Sequence, residues 1–179
     1  MSRTRTAIVF AVIALLAAGG SARGAVLIPM DLTQTDHLRA YGVAYRALER
    51  GERVEWLLNY RGGSFLVPAG GSGVEDDCRL RGVAWEEIGG GDLTSVYATI
   101  EEENMEVVVL EKAPAVALYA PDNIQPWDDA VMLALEYAGI PYTIVWDEEV
   151  QSGALDRFDW LHLHHEDFTG QLGKFHASY

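Results

Sequence analysis

Two rhythms of apolar and polar positions alternate along the chain. Ala25 to Met30 is a short, unbroken apolar run of strand character, and Leu38, Tyr41, Tyr45 and Leu48 then fall at the three- and four-residue spacing of one buried helix face. Gly51 ends that helix, and Val54 to Leu58 reads as the next strand. Strand, helix and strand in such close succession predict a right-handed βαβ crossover. The pattern returns further on. Val116 to Tyr119 reads as a strand, and Pro126 marks a helix start with Asp128 and Asp129 in its first turn. Val131, Leu135 and Ala138 form the apolar face of that helix, Gly139 stops it, and Tyr142 to Trp146 and Trp160 to His164 follow as strands. Between the two units, Gly70 to Gly73 is a loop, Val83 to Ile88 a strand, Asp92 the cap of a helix carrying Leu93, Val96 and Ile100, and Met105 to Leu110 a further strand. The expected fold is α/β: a mostly parallel sheet with helices on both faces, built from two βαβ-type units over 25–112 and 113–179. A new segment begins at Gly173 only a few residues before Tyr179, so the sheet is expected to be incomplete and the chain truncated.

The first 22 residues follow a different logic. Arg3 and Arg5 form a basic start, Ala7 to Ala18 is unbroken and apolar, and Gly20, Ser21 and Ala22 are the small residues a signal peptidase needs. That order predicts an exported protein, periplasmic or extracellular, cut after Ala22; the alternative is a retained N-terminal anchor. The apolar run is shorter than the roughly 20 residues that span a bilayer, so no stable membrane span is expected after cleavage. Losing Arg3 and Arg5 with the leader deepens the formal charge from −14 to −16. Such a surface repels phosphate backbones, which argues against nucleic acid as a partner and leaves cationic or neutral small molecules. Cys78 is the single cysteine, so no internal disulfide forms and stability must come from a core. The neighbouring Asp76 and Asp77 disfavour its thiolate, which makes it a poor candidate nucleophile. Trp56, Trp85, Trp127, Trp146 and Trp160 lie at or near predicted elements and read as core.

In open parallel sheets ligands bind beyond the carboxyl ends of the strands. Four loops would meet there, bringing Asp31, then Asn59, Arg61 and Ser64, then Asp122, and finally His164, His165, Glu166 and Asp167. These are the expected ligand-binding residues. Arg61 between glycine-rich neighbours offers a planar fork of donors to an anion, although Tyr60 to Ser64 also reads as a plain turn. His162, His164, Glu166 and Asp167 combine imidazole and carboxylate in a way that suits a divalent metal. The competing reading packs His162 and lets His164 and Glu166 order the loop by hydrogen bonds.

Four segments carry a resemblance: Ile28 to Asp31, Trp56 to Phe65, Gln125 to Ala130 and Trp160 to Gly170. Together they resemble a bacterial exported family labelled asparagine synthetase B, over almost all of the mature chain, and members of that family are longer. The label implies a glutamine-hydrolysing asparagine synthase. That activity needs a cysteine directly after the initiator methionine and a Ser-Gly-Gly-x-Asp-Ser loop for ATP; Ser2 stands at the first position and the loop is absent, so ATP-dependent synthesis is not supported by the motifs. Ala115 to Gly170 is also similar to the flavodoxin-like, class I glutamine amidotransferase fold, with strand, helix, Gly139-Ile140-Pro141-Tyr142, strand, acidic turn and strand in that order. That fold carries its cysteine on a later strand elbow, beyond the matching segment.

Three functions are therefore in view. The first is an amidotransferase-like domain acting on an amide or related small substrate. The second is a non-catalytic extracytoplasmic module for ligand binding or envelope association. The third is a metal-dependent hydrolase built on the histidine loop.

Overall fold

The computed structural model describes residues 24–68, 73–121 and 123–163. Residues 1–23, Asp122, and His164, His165, Glu166 and Asp167 lie outside the described residues, as does most of the Gly70 to Gly73 loop.

The first half contains β1 (Ala25–Ile28), α1 (His37–Glu49), β2 (Val54–Leu58), β3 (Ser64–Val67), α2 (Val74–Arg81), β4 (Glu86–Ile88), α3 (Gly90–Glu102) and β5 (Glu106–Leu110). Its five strands lie in the order β4-β1-β3-β2-β5, and every neighbouring pair is antiparallel. This corrects the expected parallel βαβ unit. β1 and β2 do run the same way, but β3 is inserted between them, which gives a split βαβ arrangement. The cause is local. Asn59, Arg61, Gly62 and Gly63 all adopt positive φ, which turns the chain sharply enough to fold β3 back along β2. Ser64, expected on a ligand-facing loop, is the first residue of β3 and fully buried.

The two faces of this sheet are buried by different helices. Val26, Ile28, Val54, Phe65 and Val67 face α1 and α2, where Ala40, Val43, Ala44, Ala47, Val74 and Cys78 meet them. Ala25, Leu27, Leu57, Leu66 and Ile88 face α3 through Val96 and Ile100. A strand covered on both sides has no reason to alternate, which explains the unbroken run in β1. The helix face expected from Leu38, Tyr41, Tyr45 and Leu48 is rotated in the structure. Leu38 and Tyr41 are exposed, and the small residues of α1 are buried instead, because they allow backbone to approach closely.

The second half contains β6 (Val116–Tyr119), α4 (Ala130–Ala138), β7 (Thr143–Val145), α5 (Asp147–Gln151) and β8 (Trp160–Leu163). These strands form a three-stranded sheet ordered β7-β6-β8, parallel throughout, as the sequence pattern predicts. Pro126 begins a short 3₁₀ turn over Pro126–Asp128, and α4 starts four residues later, with Asp129 as its N-cap rather than in its first turn. Trp127 and Trp160 are exposed, contrary to the expectation that all five tryptophans are core.

α1 and α4 join the two sheets. The Tyr137 hydroxyl donates to Asp36 Oδ2 at 2.6 Å, and the Arg39 guanidinium lies 4.6 Å from the Tyr137 ring centre. Tyr45 donates to Pro114 O at 3.0 Å, and Arg81 Nη1 donates to Ala138 O at 3.0 Å. Among the described residues no helix is long and apolar enough to cross a membrane.

Candidate functional site

Two polar clusters form at strand ends. In the first, Asp31 follows β1 and Arg61 sits in the turn between β2 and β3. Arg61 Nε donates to Asp31 Oδ2 at 2.8 Å, Nη1 donates to both oxygens of Glu86 at 2.8 and 2.9 Å, and Nη2 donates to Thr33 Oγ1 at 3.2 Å. Met30 N donates to Arg61 O at 3.1 Å, and the Ser64 hydroxyl donates to Tyr60 O and Arg61 O. The sequence thus points to residues that do meet, but most of the donors of Arg61 already serve carboxylates and a hydroxyl of the protein itself. The guanidinium clasps the β1 end, the β2–β3 turn and β4 together, and this leaves it poorly placed to recruit an external anion. Asn59 is exposed, holds φ 65° and makes no capping hydrogen bond through its side chain.

Hydrogen bonds from Thr33, then from Arg61, hold the Asp31 carboxyl well below the usual carboxylate range. Asp159 is lowered in the same direction by Lys112 and by the Ala115 backbone N–H. A carboxyl whose folded pKa is depressed contributes stability that is present above its unfolded pKa of about 4 and is lost as pH falls toward the folded value. The urea midpoint is therefore expected to fall as pH is lowered below about 4, and Asp31→Asn should flatten that dependence. Equal slopes for the two proteins would show that the clasp is not what acid breaks.

The second cluster lies in the parallel sheet. From β6 the chain passes through α4 to β7 on one side, then through α5 to β8 on the other. The connections diverge from β6, which makes the β6–β8 boundary a topological switch point, the usual ligand crevice of such sheets. His162 on β8 sits opposite Leu118, and its Nε2 lies 3.1 Å from Asp129 Oδ2. Asp129 is only 3% exposed, and its other oxygen accepts from Val131 N at 2.7 Å and Met132 N at 2.8 Å. One carboxylate thus caps α4 and orients the histidine. In the tautomer with its proton on Nε2, the ring donates to Asp129 and Nδ1 is left as an acceptor. Nearby, Tyr119 stacks on Trp146 with ring centres 4.7 Å apart and donates its hydroxyl to Asp147.

Asp129 was visible in the sequence only as a helix-start residue. The signal that reveals more is its place as an Asp directly before the apolar run of α4, the position of an N-cap. His162 is legible as chemistry, but its partner is not. Among the described residues no group of three or more His, Cys, Asp or Glu side chains is arranged to hold a metal, and the other three expected ligands lie outside those residues. Cys78 is buried, and burial, then Asp77 and Glu75, push its thiol up to about 12.

Comparison of the chain with protein-family models, with curated proteins and with solved structures found no match.

Proposed function

We propose that this chain is an exported α/β protein that takes an amide or related small polar substrate into the crevice between β6 and β8, in the manner of an amidotransferase-like domain. The observation that carries the reading is the His162–Asp129 pair at the switch point of a β7-β6-β8 parallel sheet. In this reading His162 takes a proton through Nδ1 from a water that adds to the amide carbon, and returns it to the nitrogen as the C–N bond breaks and ammonia leaves, while Asp129 fixes the ring. Asp129 also answers the first backbone N–H groups of α4, so the end of that helix is no cradle for phosphate. This favours an uncharged amide over a nucleotide, in keeping with the acidic chain and with the missing ATP loop. The resemblance to the family labelled asparagine synthetase B contributes export and an amide substrate to the proposal, without ATP-dependent synthesis.

A second reading, reversible binding without turnover, is favoured by the full burial of Cys78, the single cysteine in the sequence. One experiment separates the two. The protein is titrated with L-glutamine and L-asparagine while backbone amide shifts and ammonia release are followed, alongside His162→Ala. Ammonia release that drops at least about 100-fold in the variant supports the enzyme. Saturable shifts near His162 without ammonia support the binding module. Absence of both, or responses untouched by His162→Ala, removes the crevice from consideration.

A further inference from the structure

A cleft opens at the other end of the parallel sheet, where α4 ends and β7 begins. Its volume is about 750 Å³, within the range of small-molecule sites, and it is walled by Arg46 and Glu49 of α1, Glu136 of α4, and the apolar Ile140, Pro141 and Ile144. Its charges are arranged unusually. Among the described residues Arg46 is the one basic side chain that makes neither an ion pair nor a hydrogen bond, although acidic residues outnumber basic ones 27 to 13 in the chain. Its Nε is shielded from solvent and has no partner there. Glu49 stands one helical turn further along α1, and no ion pair links the two. The Glu136 carboxylate accepts from the Tyr142 hydroxyl at 2.8 Å.

Arg46 lies beside the C-cap of α4. Its guanidinium lies against Gly139, where a Cβ would come within 3.4 Å of Nη2, and Arg81 stands on the same glycine with its Nη1 committed to Ala138 O. The mutual repulsion of these two guanidinium groups is a cost that an anion in the cleft would relieve. An anion alone would face Glu49 and Glu136. A ligand with both charges satisfies all three side chains at once, and the apolar wall gives it a place for a hydrocarbon group.

We propose that this cleft binds a small zwitterion, with a carboxylate on Arg46, an ammonium between Glu49 and Glu136, and an aliphatic group on Ile140, Pro141 and Ile144. This site stands apart from the His162–Asp129 crevice and does not depend on the function proposed for it.

Three probes isolate the charges: L-leucine carries both, L-leucinamide lacks the carboxylate, and N-acetyl-L-leucine lacks the ammonium. In the ¹⁵N-labelled protein L-leucine is expected to move the amide signals of Gly139, Thr143 and Ile144 saturably, and each one-charge analogue should bind at least about tenfold more weakly. Arg46→Gln should weaken L-leucine by a similar factor and leave L-leucinamide unchanged. Comparing the probes on the unaltered protein keeps the test decisive even if the variant folds poorly. Equal binding of the three probes, no saturable shift at these amides, or unchanged L-leucine affinity in Arg46→Gln would overturn the proposal.

Discussion

Replacing Gly62 by alanine is expected to destabilise the fold by about 3–4 kcal/mol, a large part of the margin of about 5–15 kcal/mol that a domain of this size has. Two costs add. Gly62 holds φ 83°, where an L side chain loses about 1–2 kcal/mol. Its missing Cβ would also lie 2.4 Å from Met30 O and 2.6 Å from Met30 C, against backbone that cannot rotate away. Relieving the overlap means parting the turn from the β1 end, which breaks the hydrogen bond from Met30 N to Arg61 O and pulls the Arg61 fork off Asp31 and Glu86. Gly51→Ala is the control, because Gly51 has φ 75° with nothing within 4 Å of the added carbon. It should cost only the conformational penalty, about 1 kcal/mol. Urea unfolding of the two variants measures the difference. Equal losses would mean that left-handed backbone alone, and not contact with β1, sets the requirement for glycine at 62.

The same turn shows where sequence reading succeeds and where it fails. The second sheet was legible because each of its signals is local: the short apolar runs of β6 and β7, a helix closed by Gly139, and a strand after an acidic turn. The first sheet is not legible in the same way, because its decisive feature is a pairing. β1 is apolar throughout because helices cover both its faces, and an antiparallel strand so buried has the same pattern as a parallel one. β3 was hidden because its first residue, Ser64, is polar and follows glycines, so the segment resembles an exposed loop; in fact the Ser64 hydroxyl is satisfied by the carbonyls of Tyr60 and Arg61 inside the turn. The candidate sites divide similarly. Asp31 with Arg61 could be read as neighbours from the carboxyl ends of parallel strands, and those strands are parallel even with β3 between them. What composition could not reveal is that Glu86, from a strand added at the sheet edge, closes the fork of Arg61. His162 stands out in the sequence for its chemistry, whereas its partner Asp129 lies 33 residues away and meets it only once β6 and β8 pair.

The second large effect is expected at Gly42, and it tests how the two sheets depend on each other. Gly42 lies inside α1, where alanine would ordinarily be better by about 1 kcal/mol. Here the added Cβ would fall 1.9 Å from Ala138 O and 2.9 Å from Ala138 C, in the last turn of α4. No rotamer change relieves contact with backbone, so Gly42→Ala must push α4 away from α1, for a net loss of about 2–3 kcal/mol despite the gain in helix propensity. The displaced carbonyl is the one that receives Arg81, and the separation also stretches the bond from Tyr137 to Asp36. Those contacts should therefore lose their value together. Tyr137→Phe alone is expected to lower stability through its lost hydrogen bond, and to lower it clearly less in the Gly42→Ala background, where that bond is already weakened. A double-mutant cycle on urea stability reads the coupling directly. Strict additivity would mean that α4 keeps its seat on Asp36 while α1 bends to admit the methyl group. A coupling of about 0.5 kcal/mol or more would establish the close approach at Gly42 as what holds the parallel sheet, and with it the crevice of His162 and Asp129, against the antiparallel one.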